Sequence, residues 1–95
     1  MIVNNSKADI NGTSLMGHVK ATYTELRLCF GMPVMFETDK STAEWRLEAG
    51  GQVVTIYDYH SSGMTGLPYD WHVGGKTPEA VDIVDEALLQ HRKTA

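Results

Sequence analysis

The chain reads as an α+β domain: a four-stranded, mainly antiparallel sheet with two helices on one face, in the order β-α-β-β-β-α. Three observations lead there. Ala43, Trp45 and Leu47 alternate with Glu44, Arg46 and Glu48 before Gly50-Gly51, and Val53 to Tyr59 returns rich in β-branched and aromatic residues. Two stretches carry apolar residues at helical spacing, each behind a start signal. The 95 residues suffice for one domain and one core. By mass scaling, folding buries about 64% of the unfolded chain's surface, enough to line one face of a sheet.

Residues 1–12 are polar and end on the turn dipeptide Asn11-Gly12, so a loosely ordered segment is expected. From Ser14 to Ala21 a period of two sets Leu15, Gly17, Val19 and Ala21 against Met16, His18 and Lys20, a half-buried strand. Thr22-Tyr23-Thr24-Glu25 is a capping box. Tyr23, Leu26 and Phe30 follow on one helical face, and Gly31 and Pro33 stop the helix. Glu37 to Lys40 reads as a polar connection.

A two-residue turn at Gly50-Gly51 pairs Leu47 with Val54, Arg46 with Thr55 and Trp45 with Ile56. One face of that hairpin is then core, and the other carries Glu44, Arg46, Thr55 and Tyr57. Ser61 to Pro68 reads as a loop. Tyr69 to Val73 forms a last strand, with Trp71 and Val73 inward, ended by Gly74-Gly75. Thr77, Pro78 and Glu79 read as N-cap, first position and first turn of the final helix. Its stripe is Ala80, Ile83, Val84, Ala87 and Leu88.

Charge and cysteine content exclude some functions. With 12 acidic residues against 8 Lys and Arg, the net charge of -4 is unsuited to general DNA binding through a basic field. A single Cys29 forms no internal disulfide, and no apolar run reaches the roughly 20 residues of a membrane helix. The expectation is a cytoplasmic protein without membrane attachment and without a cofactor.

Candidate sites follow from the uncovered sheet face. It should gather His18, Lys20, Arg46, Thr55, Tyr57 and His72, rings and cations suited to a protein hot spot or to a stacked base with its phosphate. Lys76, before the last helix, adds an anion contact to the free amides there. Gly74-Gly75-Lys76-Thr77 lacks the earlier glycine of a nucleotide P-loop, since Asp70 stands in its place. Asp58-Tyr59-His60 and Asp70-Trp71-His72 repeat an Asp-x-His spacing, the basis of an alternative reading as a small metal-dependent phosphate-ester or nucleotide-processing enzyme. No nucleophile set and no carboxylate pair at a recognisable spacing supports catalysis, so a non-enzymatic protein is expected. A third reading is a homo-oligomer built through the open face or the edge strands.

Several segments together resemble a group of small phage-encoded proteins of unassigned activity. They are Gly17, Ala21-Thr22-Tyr23, Glu25-Leu26, Phe30-Gly31 and Pro33, then Asp39-Lys40, Ala43-Glu44-Trp45, Thr55-Ile56-Tyr57-Asp58-Tyr59 and Trp71-His72-Val73-Gly74-Gly75. The likeness runs from about residue 12 to residue 90. It implies a phage accessory protein acting in the host cytoplasm. Such a protein would inhibit a host process, foremost an immune defence system (anti-CRISPR or related), by stoichiometric binding of a protein complex or a signalling nucleotide. No catalytic role comes with these motifs.

Overall fold

Alternating side chains and helical stripes both need an apolar surface to bury against, and here they share one. The computed structural model describes residues 2–36, 42–59 and 61–94. Its elements are β1 (Ile2–Asn4), β2 (Ser14–Ala21), α1 (Tyr23–Phe30), β3 (Val34–Met35), β4 (Ala43–Ala49), β5 (Gln52–Tyr57), β6 (Tyr69–Gly75) and α2 (Glu79–Thr94), with a 3-10 turn at Ser62–Thr65 between β5 and β6. The fold is α+β and the sheet is antiparallel throughout, but it has six strands among the described residues rather than four. The four expected strands form its centre in the order β4-β5-β6-β2. The two additions, β1 and β3, lie along the same outer edge of β4, on its two halves. Strands of three and two residues carry too little periodicity to be read from sequence. The polar connection expected over 37–40 lies outside the described residues.

The hairpin pairs as the two-residue turn requires, with Trp45 opposite Ile56, Arg46 opposite Thr55 and Leu47 opposite Val54. Trp45, Leu47, Val54, Ile56, Trp71 and Val73 are all fully buried. They form one cluster with Leu26 and Phe30 of α1 and with Ala80, Val84 and Leu88 of α2, so both helices cover the same face. Trp45 and Trp71 meet edge to face at 5.3 Å. Each indole N–H finds a carbonyl, Trp45 on Gly31 at 2.8 Å and Trp71 on Ala21 at 3.0 Å, so neither buries an unpaired donor.

Helix α1 has only eight residues and is held from both ends. At its start the Thr22 hydroxyl accepts from Glu25 N, and the Glu25 carboxylate accepts from Thr22 N. Arg92 of α2 closes on that carboxylate at 2.8 Å and also donates to the Lys20 carbonyl. The Arg92 guanidinium, and then the Thr22 amide, hold the Glu25 carboxyl below its ordinary range. At the helix end, Asn4 Nδ2 donates to the carbonyls of Phe30 and Met32. β1, formed by Ile2–Asn4 within that first segment, therefore supplies the C-terminal cap.

Three local expectations change. A bulge between Leu15 and Gly17 reverses the phase of β2 ahead of it. Leu15 consequently leaves the helix side and stands 48% exposed opposite Gly74, while Met16 packs against the core. Gly74 and Gly75 still end β6, but as its last two paired residues, so the strand runs two residues beyond Val73. A side chain on Gly75 would stand 2.6 Å from Ala80 Cβ, so that glycine lets α2 approach the sheet closely. Finally, the Thr77 hydroxyl donates to Gln52 Oε1 at 3.1 Å and does not cap α2, which begins at Glu79.

Candidate functional site

Among the described residues, the chain crosses the face without helices once. β1 lies at one side of the sheet and β2 at the other, so residues 5–13 must pass between them. Asn5 donates to the Glu48 carboxylate, the Ser6 carbonyl accepts from Arg46, and Gly12 lies by the Lys76 side chain. Ala8 is 6% exposed yet belongs to no part of the main core cluster. This crossing and the burial of Thr55 to 3% show that the open face is covered at its β1 end.

The uncovered remainder carries a row of directly paired residues. Strand register places Val34 opposite Glu44, Glu44 opposite Tyr57, Tyr57 opposite His72 and His72 opposite His18. Because paired residues share a face, the rings of this row touch. His72 stacks on Tyr57 at 5.2 Å with planes 17° apart, meets His18 at 4.8 Å and meets Tyr59 at 4.2 Å. Tyr57 and Tyr59 are themselves 5.8 Å apart. His72 is thus the centre of a ring cluster, flanked by a half-buried tyrosine and the exposed rings of His18 and Tyr59. Its Nδ1 is a buried side-chain polar atom without a hydrogen-bond partner.

Burial first, and the His18 charge second, hold the His72 imidazole below its ordinary pKa. Burial, reinforced by Tyr59 and Glu44, pushes the Tyr57 hydroxyl up. The sign for His72 is that the unfolded chain takes a proton at higher pH than the folded one. Its contribution to stability is therefore complete above about pH 6.5 and declines as pH falls through that value. Melting temperature is expected to drop between about pH 7 and pH 5, with a shallower drop in His72→Gln. Thermal denaturation followed by circular dichroism across that range checks this, and equal slopes in the two proteins would contradict it.

Of the residues read from sequence, the structure brings His18, Tyr57 and His72 together, with the exposed Lys20 beside His18 on β2. Arg46 is on the same face but engaged: its Nε pairs with Glu44 at 2.8 Å, and its guanidinium lies 5.7 Å from the Phe36 ring centre. Thr55 is covered, packed where a side chain on Gly74 would otherwise stand. Lys76 follows the last residue of β6, away from the ring cluster. Tyr59, unlisted among the sequence candidates, joins through the simple phase 55, 57, 59.

The four-residue set Asp58, His60, Asp70 and His72 finds no support around Asp58. That carboxylate is fully buried and accepts from Thr42 N, Ala43 N and Gly63 N at 2.8, 3.0 and 3.3 Å. His60 lies outside the described residues. Among the described residues no group of three or more His, Cys, Asp or Glu could hold a metal ion. Nor is any helix among them long and apolar enough to cross a membrane. Cys29, partly buried with its thiol directed at the Ala87 carbonyl, has its pKa raised by burial, the opposite of a reactive thiolate.

Three cavities lie away from the ring cluster. One of about 350 Å³ is lined by residues including Asn4, Cys29 and His91, and one of about 380 Å³ by residues including Ile2, Ala49 and Ile83. The third, about 250 Å³, is bounded by Tyr23, Thr24, Arg27 and Leu28. No family model, curated protein or solved structure matches the chain.

Proposed function

We propose that the protein acts by stoichiometric binding, as a phage-type accessory protein that blocks a host defence complex, and that His18, Tyr57, Tyr59 and His72 form the centre of its contact surface. The observation that carries this reading is the continuous ring cluster on the one sheet face that no helix covers. Aromatic side chains with a polar edge are the residues in which binding energy concentrates at protein interfaces. The phage setting comes from the sequence resemblance.

A protein complex is the favoured target over a signalling nucleotide. Small ligands take concave, largely enclosed sites. The described cavities lie elsewhere, and none is lined by a member of the ring cluster. The rings of this cluster already stack on one another, which leaves a broad surface and not a slot for a base.

The experiment is co-purification from host cells followed by titration of the purified target. His18→Ala combined with Tyr59→Ala removes the two exposed members of the cluster. Affinity should fall at least about 30-fold, the scale of a lost hot spot. The melting temperature should stay near that of the unmodified protein. Unchanged affinity in the double variant would remove this face as the site, and retention of a small nucleotide in place of a protein would overturn the choice of target.

A further inference from the structure

We infer that His18 and His72 form a cross-strand chelate for a divalent transition-metal ion of the zinc, nickel or copper class, with the remaining coordination positions open on the helix-free face. The two residues are directly opposite on β2 and β6. Their ring centres are 4.8 Å apart, with planes inclined at 58°. With metal–nitrogen bonds of about 2.0–2.1 Å, two imidazole centres flanking one ion at a right-angle to tetrahedral spread stand roughly 4.5–5.3 Å apart. The observed spacing falls inside that window without movement of either strand.

Imidazole nitrogen is the donor type that these metals share, and hard cations such as magnesium and calcium prefer oxygen. The Nδ1 of His72 is buried without a hydrogen-bond partner, which leaves the other nitrogen of that ring as the donor for an ion on the open face. Stacking against Tyr57 and contact with Tyr59 fix the plane of that ring, as outer partners of a metal-bound histidine do. Lys20 opposite Asp70 continues the same face beside the pair. Among the described residues no third His, Cys, Asp or Glu joins the group. Water or a further donor completes the sphere.

The test is titration of the purified protein at pH 7.5 with zinc chloride and, separately, nickel chloride, by competition with a weak chromophoric chelator. Side-chain nitrogen spectra of the histidines are recorded alongside. One ion per chain is expected, with both the His18 and His72 ring resonances shifting. His18→Ala, a change at an exposed position, should lower affinity at least about tenfold, and His72→Ala should do the same. His91→Ala, which alters a separate cavity, should leave affinity unchanged. Circular dichroism of each variant shows that the fold persists, and the exposed His18 position keeps the test valid should His72→Ala unfold. Absence of binding by either metal, or binding that survives His18→Ala, overturns the inference. Partner binding is measured without added metal, so its failure and the failure of the chelate remain distinguishable.

Discussion

Asp58→Ala is expected to cost roughly 3–5 kcal/mol of folding stability. The carboxylate is fully buried and serves three backbone amides, those of Thr42, Ala43 and Gly63. Hydrogen bonds to a charged acceptor are the stronger kind, and each buried donor left without a partner costs about 1–3 kcal/mol. Alanine orphans all three at once, and Ala43 and Gly63 are too deeply buried for water to replace the acceptor. Against a total of about 5–15 kcal/mol, the loss is large. For a domain of this size it corresponds to a fall in melting temperature of about 15–30 °C. Asp58→Asn keeps one carbonyl oxygen for the Thr42 and Ala43 amides and should cost about half as much. Guanidinium denaturation of the three proteins measures both differences. A loss below about 1 kcal/mol for Asp58→Ala would show that the carboxylate does not anchor this corner.

The second large effect is expected from one methyl group. A Cβ on Gly63 would stand 2.5 Å from Cζ2 and 2.9 Å from Cζ3 of Trp71, and closer still to Cη2. These atoms belong to a rigid ring with no exposed surface, itself pinned by its N–H to the Ala21 carbonyl. The indole cannot swing aside, so the 3-10 turn must lift, which also lengthens the Gly63 N–H contact to Asp58. Gly63→Ala should therefore cost about 2–3 kcal/mol, at the upper end for overpacking a core, and should alter the near-ultraviolet tryptophan signal. The clashing atoms lie in the outer ring of the indole. Trp71→Phe in the same chain should consequently restore part of the loss, making the pair less damaging than the sum of its single changes by about 1 kcal/mol. Strict additivity would place the strain somewhere other than the ring.

Those two residues mark the boundary of what was legible. The hairpin register, the burial of both tryptophans and the capping box of α1 were all readable, because each rests on local periodicity or on a short spacing. The stretch from Ser61 to Pro68 reads as loop, since nothing in its composition shows that Gly63 lies under Trp71. Asp58 looked like one half of an Asp-x-His pair, and only the fold shows its oxygens spent on three amides. The bulge after Leu15 was likewise hidden, since one extra residue changes phase without changing composition. β1 and β3 escaped because edge pairing of two or three residues is set by the strand beside them. Within the ring cluster, His18, Tyr57 and His72 followed from alternation, whereas the engagement of Arg46 by Glu44 depends on side chains meeting across turns and strands. Tyr59 could have been added by extending the alternation by one step.

The double anchoring of α1 sets a condition on synthesis. Its C-terminal end is capped by Asn4, made before it, but the clamp on its first turn comes from Arg92, made after it. β2, which precedes it, pairs with β6 and, among the described residues, with no other strand. A chain emerging from the ribosome therefore exposes β2 and α1 until β6 and α2 have been made, able before then to complete only the β4–β5 hairpin with its early edge strands. α2 locks the earlier α1, and this domain is expected to close in one late step instead of growing progressively as its strands are made.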